Sequence, residues 1–208
     1  MLRIAGLSMA AMALALAGCS AAGDDRADPV GTDTVAAPAA STPGSSESGT
    51  AEAEREPLIA IDGEGLRLVA SSGATRLIAF GEARAEVERV MGETSSIPPI
   101  RTEMEECGAG PMQVTSYGDL SLNFQDDQFV GWFVGDQSGW STMDGISTGS
   151  TRSSVESTRS VTLVEDSTLG VEFRLGEASE GGIGGFFEDE SADAMVTGLY
   201  AGTNCFFR

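Results

Sequence analysis

Apolar residues that alternate with polar ones constrain the fold of this chain more than any other feature of its sequence. Leu120, Leu122 and Phe124 would share one face of a strand, because successive side chains of a strand point to opposite sides. The acidic pair at 126–127 predicts a turn, and the apolar run at 129–134 predicts a second, more fully buried strand. We therefore expect an antiparallel β-meander in this part of the chain.

A similarity between two parts of the chain suggests that this pattern occurs twice. Residues 81–88 align with residues 149–156 at an offset of 68 positions. Farther along, Asp127, Val130 and Gly135 align at offsets of 66 or 67 positions with three identical residues, Asp193, Val196 and Gly202. A tandem duplication would explain both similarities. Glycine and valine are common residues, so chance agreement remains the alternative.

Both matching segments predict the start of a helix. Val87 and Met91 would fall on one helical face, and Gly92 is expected to end that helix. Ser150 or Thr151 can cap the second helix, because a hydroxyl oxygen accepts a hydrogen bond from the first free backbone amides. The pattern thus predicts one short helix before each set of strands.

A helix start of this kind, followed by a meander, resembles the repeat of beta-lactamase inhibitor proteins and of small outer-membrane-assembly lipoproteins. The pattern is glycine, serine or threonine, three variable residues, glutamate or serine, and valine; residues 149–155 match it, and residues 81–87 match it except for Glu82 at the second position. The predicted fold class is α+β, with two tandem repeats at 57–140 and 141–208, each a short helix packed on an antiparallel β-meander. The resemblance implies a concave sheet that binds another protein. The second helix, poor in apolar residues, and the stretch at 93–111 depart from the pattern.

The N-terminus has the features of an export signal. Arg3 precedes an apolar stretch at 4–17, which is shorter than the roughly 20 residues that a membrane-spanning helix needs. The string LAGC at 16–19 resembles the lipobox of bacterial lipoproteins, in which the cysteine receives a diacylglycerol and becomes the new N-terminus. We therefore predict a signal peptide at 1–18 and a lipid on Cys19. An ordinary cysteine behind a plain signal peptide is the alternative.

The segment after Cys19 indicates how the protein would be held in the cell envelope. Ser20 stands where an aspartate would resemble an inner-membrane retention signal, so the outer membrane is favoured if the host has two membranes. Residues 19–56 are mostly Ala, Gly, Ser, Thr, Pro, Asp and Glu, and they include no aromatic residue. Such a composition cannot bury enough apolar surface to order the chain, so it predicts a disordered acidic tether.

The cysteine count favours one disulfide. Lipidation of Cys19 would leave Cys107 and Cys205 as a pair. An exported protein is in an oxidising compartment, where disulfides form and persist. We therefore predict a disulfide between Cys107 and Cys205, with two buried free thiols as the alternative.

Charge and composition exclude several partners and chemistries. The chain has 32 acidic residues, 12 arginines and no lysine or histidine, for a net charge of −20. This charge repels phosphate backbones and anionic headgroups, so we expect no nucleic-acid partner and a membrane contact through the lipid anchor alone.

Without histidine, and with two distant cysteines, we predict no metal site. No cofactor site is predicted, because a P-loop requires lysine. Calcium at 126–127 or 188–193 is the alternative.

Two motif-like strings have simpler structural interpretations. Ser147, within the string GISTG at 145–149, fits the serine hydrolase pattern, but its hydroxyl would need a histidine or lysine as base. We interpret this string as a glycine turn. The glycines at 181, 182, 184 and 185 are not placed between a strand and a helix, as a dinucleotide site requires. We interpret them as a loop or bulge.

Two functions remain. The first is a non-catalytic envelope protein that binds another protein or contributes to envelope assembly, with Glu106, Trp132 and Trp140 as its candidate binding surface. The second is a carboxylate-based cell-wall glycan-binding protein or hydrolase, in which Glu103, Glu105 and Glu106 would act beside the two tryptophans.

Overall fold

The computed structural model describes residues 57–135, 139–176 and 182–206. The predicted signal peptide at 1–18, the lipid site Cys19 and the tether at 19–56 lie outside the described residues. Within the described ranges, no helix is both long and apolar enough to cross a membrane.

The first three strands form a small antiparallel sheet. Its strands are β1 (Leu58–Asp62), β2 (Gly65–Val69) and β3 (Thr75–Ala79), and β2 lies in the middle. Apolar side chains that alternate along these strands face the interior of the domain. The buried ones are Ile59, Ile61, Leu66 and Ile78.

The other eight strands form one continuous antiparallel sheet. In chain order they are β4 (Ile100–Met104), β5 (Met112–Tyr117), β6 (Leu120–Gln125), β7 (Gln128–Val134), β8 (Val161–Leu163), β9 (Val171–Leu175), β10 (Gly184–Phe187) and β11 (Val196–Gly202). Their order in space is β4-β5-β6-β7-β11-β10-β9-β8. β7 and β11 therefore pair at the centre, and β4 and β8 form the two edges.

Each half of the large sheet is preceded in the chain by one short helix, the first before β4–β7 and the second before β8–β11. Helix α1 (Arg84–Thr94) continues two residues beyond Gly92, so the prediction that Gly92 ends it is wrong. Helix α2 (Arg152–Thr158) begins after Thr151, whose side chain accepts a hydrogen bond from a backbone amide of the first turn, as predicted. The buried residues of α1 are Val87, Val90 and Met91, and that of α2 is Val155.

The predicted fold class, α+β with two tandem helix-on-meander repeats, is wrong. The described part of the domain is mostly β, because it contains eleven strands in two sheets and only two short helices. The strands predicted for the two repeats belong to one eight-stranded sheet, and the small sheet precedes them. The physical reason is that the apolar residues lie mainly on strands. A seven-residue helix that buries one side chain cannot form a layer of its own.

The hydrophobic core lies between the large sheet on one side and the small sheet with the two helices on the other. The ring of Phe129 packs against Phe80, with 5.0 Å between ring centroids. The indole nitrogen of Trp132 donates a hydrogen bond of 2.9 Å to the backbone oxygen of Asp62. These contacts join the small sheet to the centre of the large one.

Candidate functional site

The large sheet has a second face, which points away from the core and which we call the outer face. Phe133 in β7 points to it, whereas the neighbouring Trp132 points into the core, because side chains alternate along a strand. Strand register places Phe133 opposite Tyr200, Tyr200 opposite Gly184, and Gly184 opposite Arg174. These four residues form a row across β7, β11, β10 and β9.

Four aromatic rings, Phe133, Phe186, Tyr200 and Phe206, gather on the outer face and form what we call the aromatic cluster. The centroid of the Phe206 ring lies 5.0 Å from that of Tyr200, 5.6 Å from that of Phe186 and 6.0 Å from that of Phe133. All three contacts are close to edge-to-face. Edge-to-face packing is favourable for aromatic rings. Tyr200 is buried beneath its neighbours, whereas the three phenylalanines are partly exposed. The cluster therefore presents accessible apolar surface.

Phe206 reaches the cluster because the end of the chain crosses the outer face. We call residues 203–206 the C-terminal strap. The amide of Thr203 donates to the backbone oxygen of Val130 at 2.7 Å. The buried amide group of Asn123 donates to Thr203 O at 3.1 Å and to Asn204 Oδ1 at 2.8 Å. A side chain at Gly131 would overlap the backbone of Thr203, so the strap rests directly on the sheet.

A disulfide ties the strap to the loop between β4 and β5. The Cα atoms of Cys107 and Cys205 are 5.4 Å apart, which is typical of disulfides, and their sulfur atoms are in contact. Met112 and Val114 pack around Cys107 in a small second cluster on the outer face. The geometry supports the predicted pairing, and the bond holds the strap in place.

Two glycines allow aromatic rings to pack on both sides of β10. The ring of Tyr200 lies on Gly184 at the outer face, and the ring of Phe173 lies on Gly185 at the core face. A Cβ atom at either position would overlap these rings. The interpretation of Gly184 and Gly185 as a loop is therefore wrong, although the register of β10 does shift once, after Phe186. Gly181 lies outside the described residues.

A buried carboxylate and an exposed guanidinium complete this face. Glu172 accepts hydrogen bonds from Ser167 Oγ, at 2.6 Å, and from the Tyr200 hydroxyl. The guanidinium of Arg174 lies over the Tyr200 ring, 6.0 Å from its centroid. Among the eight arginines that the structure describes, the other seven form ion pairs with carboxylates and Arg174 does not. Arg174 is also exposed, so a ligand can reach its guanidinium.

The residues predicted as a binding surface are not gathered at one place. Trp132 is fully buried in the core. Trp140 is partly buried and packs against that same core. Glu106 is exposed in the loop between β4 and β5, beside Cys107. Phe133 could not be recognised from the sequence, because it stands in an apolar run at 129–134. Such a run predicts a strand that is buried on both faces.

Four carboxylates, Glu103, Glu105, Asp126 and Asp127, line a cleft of about 280 Å³ that we call the acidic cleft. Neither tryptophan lines it, and the ring of Phe124 at its base is fully buried. The glycan hypothesis requires an accessible aromatic ring on which a sugar could stack. The residues that line the cleft offer no such ring. Within the described residues, no three acidic or cysteine side chains are grouped closely enough to hold a metal ion such as calcium.

A network of hydrogen bonds surrounds Glu88 of α1. Its carboxylate accepts hydrogen bonds from Arg101 at 2.8 Å, Thr115 at 2.7 Å and Arg84 at 2.9 Å. Burial alone would raise the pKa of Glu88, but these three donors outweigh burial and lower its pKa to about 2. The network joins α1 to β4 and β5 and keeps Glu88 charged.

Comparisons with protein-family models, with curated proteins and with solved structures gave no match for this chain. The function must therefore be inferred from the residues themselves.

Proposed function

We propose that this protein is a non-catalytic binding module of the bacterial cell envelope, held at a membrane by a lipid on Cys19, and that it binds another protein through its outer face. The observation that carries this proposal is the position of Arg174 over the ring of Tyr200, which forms the aromatic cluster together with three partly exposed phenylalanines. Aromatic residues and arginine are enriched in protein interfaces and among the residues that contribute most to binding. The outer face has this composition.

The rigidity of the outer face also supports binding. The disulfide and the backbone hydrogen bond from Thr203 hold Phe206 against the cluster. Tyr200 is fixed between Gly184 below it and its bond to Glu172. A surface that is already ordered loses less conformational entropy when a partner binds. The cluster is therefore better suited to specific recognition than a mobile loop of the same composition.

The anchor and tether suit a module that meets its partner near a membrane. A flexible coil of the length of residues 20–56 would have a root-mean-square span of roughly 30 to 35 Å. The predicted tether would let the domain turn its outer face towards a neighbouring protein without leaving the membrane. The strong negative charge of the chain makes the lipid, rather than the protein surface, the expected membrane contact.

Site-specific photo-crosslinking in cells tests this proposal. A photoreactive residue replaces Phe186 in one strain and Ser71, an exposed residue in the turn between β2 and β3, in the other. We expect an adduct with a distinct protein at position 186 and none at position 71. Arg174→Ala should reduce the adduct about ten-fold, because hot-spot side chains typically contribute 1–2 kcal/mol or more.

Arg76→Ala is the matched control, because Arg76 is an exposed arginine on the small sheet. This variant should leave the adduct at position 186 unchanged. Thermal unfolding of both purified variants checks that the fold is intact. The proposal fails if the adduct at position 186 is no more abundant than at position 71, or if Arg174→Ala and Arg76→Ala reduce it equally.

A further inference from the structure

The two sheets end in four edge strands, and in the described part of the chain β4 is the five-residue edge that forms no hydrogen bond on its outer side. β8 has three residues, and such short edges resist the addition of a strand. In β1, the amide of Ile61 donates to the backbone oxygen of Ser141 at 3.0 Å. In β3, the amide of Ala79 donates to Glu82 Oε1 at 3.1 Å. No described segment pairs with the outer edge of β4.

The backbone of β4 is regular enough to accept another strand. Its five residues pair with β5 in unbroken register, without a bulge. Natural edge strands are commonly protected by bulges, prolines or outward-reaching charges. The two prolines at 98–99 precede β4 rather than interrupt it, and Arg101 is bonded to Glu88 of α1. Glu103 is the charge on β4 that forms no ion pair in the described residues, so an added strand has to accommodate one carboxylate but no proline or bulge.

The side chains of β4 define what a neighbouring strand would contact on the outer face. Ile100, Thr102 and Met104 share that side, because residues two apart point the same way. Ile100 is 67% exposed, and the nearby Ile97 is 42% exposed. A strand added beside β4 would cover this apolar surface with its own apolar side chains.

The other side of β4, which carries Glu103, is acidic rather than apolar. Glu103 is paired with Gln113, and Gln113 with Phe124, so Glu103 forms part of the row that lines the acidic cleft. None of the four carboxylates of the cleft forms an ion pair with an arginine in the described part of the chain. A side chain that points from an added strand towards the cleft would therefore bind best if it were arginine or lysine.

From these two sides we infer that the edge of β4 binds an extended peptide segment of another protein in which apolar residues alternate with arginine or lysine. Backbone pairing at a sheet edge would give affinity, and the alternating side chains would give specificity. The inference is independent of the proposed function, since it uses the sheet edge and the acidic cleft rather than the aromatic cluster.

Charge favours such a partner over the two other occupants that could reach this edge. The chain upstream of Pro57 has three glutamates and one arginine at 50–56. A second copy of the domain would bring 24 further acidic residues and nine arginines at 57–208, a net charge of −15. Either occupant would add negative charge beside the acidic cleft. A basic segment would neutralise it instead.

Peptide binding to the full chain in detergent tests the inference. One short synthetic peptide alternates valine with arginine, and a second alternates valine with glutamate. We expect the arginine peptide to bind in 0.15 M salt and the glutamate peptide not to bind. The double variant Glu103→Gln/Glu105→Gln should weaken binding about ten-fold. The matched control Glu188→Gln/Glu190→Gln has the same change in charge at another exposed site and should weaken binding less than about two-fold.

Hydrogen exchange locates the bound peptide. Saturation with the arginine peptide should slow exchange of backbone amides at 100–104, and Ile100→Ser should weaken binding. Equal weakening by the two glutamine pairs, or no protection at 100–104, would mean diffuse attraction to an acidic protein and would overturn the inference. Protection, without peptide, of the amides at 100–104 that point away from β5 would also overturn it, whereas the amides bonded to β5 are protected in either case. Sedimentation as a dimer would then identify a second copy as occupant, and loss of protection on deleting residues 20–56 would identify the upstream chain.

Discussion

Tyr200 donates its phenolic hydrogen to Glu172, and the bond connects β11 to β9 across the strand between them. Glu172 is only 1% exposed, so its carboxylate depends on protein donors. Ser167 donates to the other carboxylate oxygen. A buried carboxylate is tolerated when such donors satisfy it. The bond also fixes the tyrosine ring on which Phe206 and Arg174 pack.

Replacement of Tyr200 by phenylalanine should therefore destabilise the domain while preserving the ring packing. We expect the free energy of unfolding to fall by about 1–3 kcal/mol, because a buried carboxylate loses a donor. Urea unfolding measures this change. In a Glu172→Gln background the same substitution should cost less, since a neutral amide depends less on the hydroxyl. Equal losses in the two backgrounds would contradict this account of the pair.

Removal of the disulfide should destabilise the domain and release the strap. The bond closes a loop of 98 residues, for which the chain-entropy model gives up to about 4.7 kcal/mol, and measured values are commonly about 2–4 kcal/mol. The double variant Cys107→Ser/Cys205→Ser should lose free energy of unfolding in this range. Cys19→Ser is the control and should leave it unchanged. Alkylation of the denatured wild-type chain without reductant should label neither Cys107 nor Cys205, and labelling of both would exclude the bond.

A methyl group at Gly131 should displace the strap. The Cβ atom of Gly131→Ala would overlap the backbone of Thr203, which cannot move aside as a flexible side chain could. We expect a loss of about 1–3 kcal/mol in urea unfolding and faster hydrogen exchange at 203–206. Gly139→Ala is the control, because open space surrounds that position. A similar effect of the two substitutions would mean that the crossing at Gly131 does not constrain the strap.

The strands at the centre of the large sheet could be predicted from the sequence, and their arrangement could not. Leu120, Leu122 and Phe124 alternate with polar residues, and all three are buried in β6. β4 carries only a weak form of this signal, because Ile100 and Met104 are its only apolar residues, and it lies in the stretch at 93–111 that departs from the repeat pattern. The pairing of β7 with β11 joins the two halves of the large sheet into one. Local periodicity does not encode this long-range contact, so the sequence did not reveal the single sheet.

The candidate site was harder to predict than the fold, because it forms where distant segments cross. Phe133 looked like one more residue of a buried run, and Phe206 joins it only because the chain turns back over Gly131. Trp132 was the more conspicuous residue in the sequence, yet it lies in the core. The pairing of Cys107 with Cys205 was accessible from the sequence, because counting cysteines in an exported chain requires no knowledge of the fold.

The last prediction concerns acid, and it follows from the low pKa of Glu88. The ordinary pKa of a glutamate is 4.5, and that of Glu88 in the folded protein is about 2. Because the folded value is the lower one, the folded state binds this proton less readily than the unfolded state. The stabilisation is therefore complete above about pH 4.5 and is lost as the pH falls from about 4.5 to about 2. Glu88 is partly exposed, and solvent screening limits the effect to about 1–2 kcal/mol.

Glu88→Gln should remove this contribution, because a neutral amide binds Arg101 and Arg84 more weakly than a carboxylate does. The variant should be less stable than the wild type at pH 7, and the difference should shrink as the pH approaches 2. Urea unfolding at several pH values measures both curves. Glu93→Gln is the control, because it makes the same change in charge on the same helix at an exposed position. It should retain the wild-type loss of stability in acid, and a curve for Glu88→Gln parallel to that of the wild type would contradict the role assigned to Glu88.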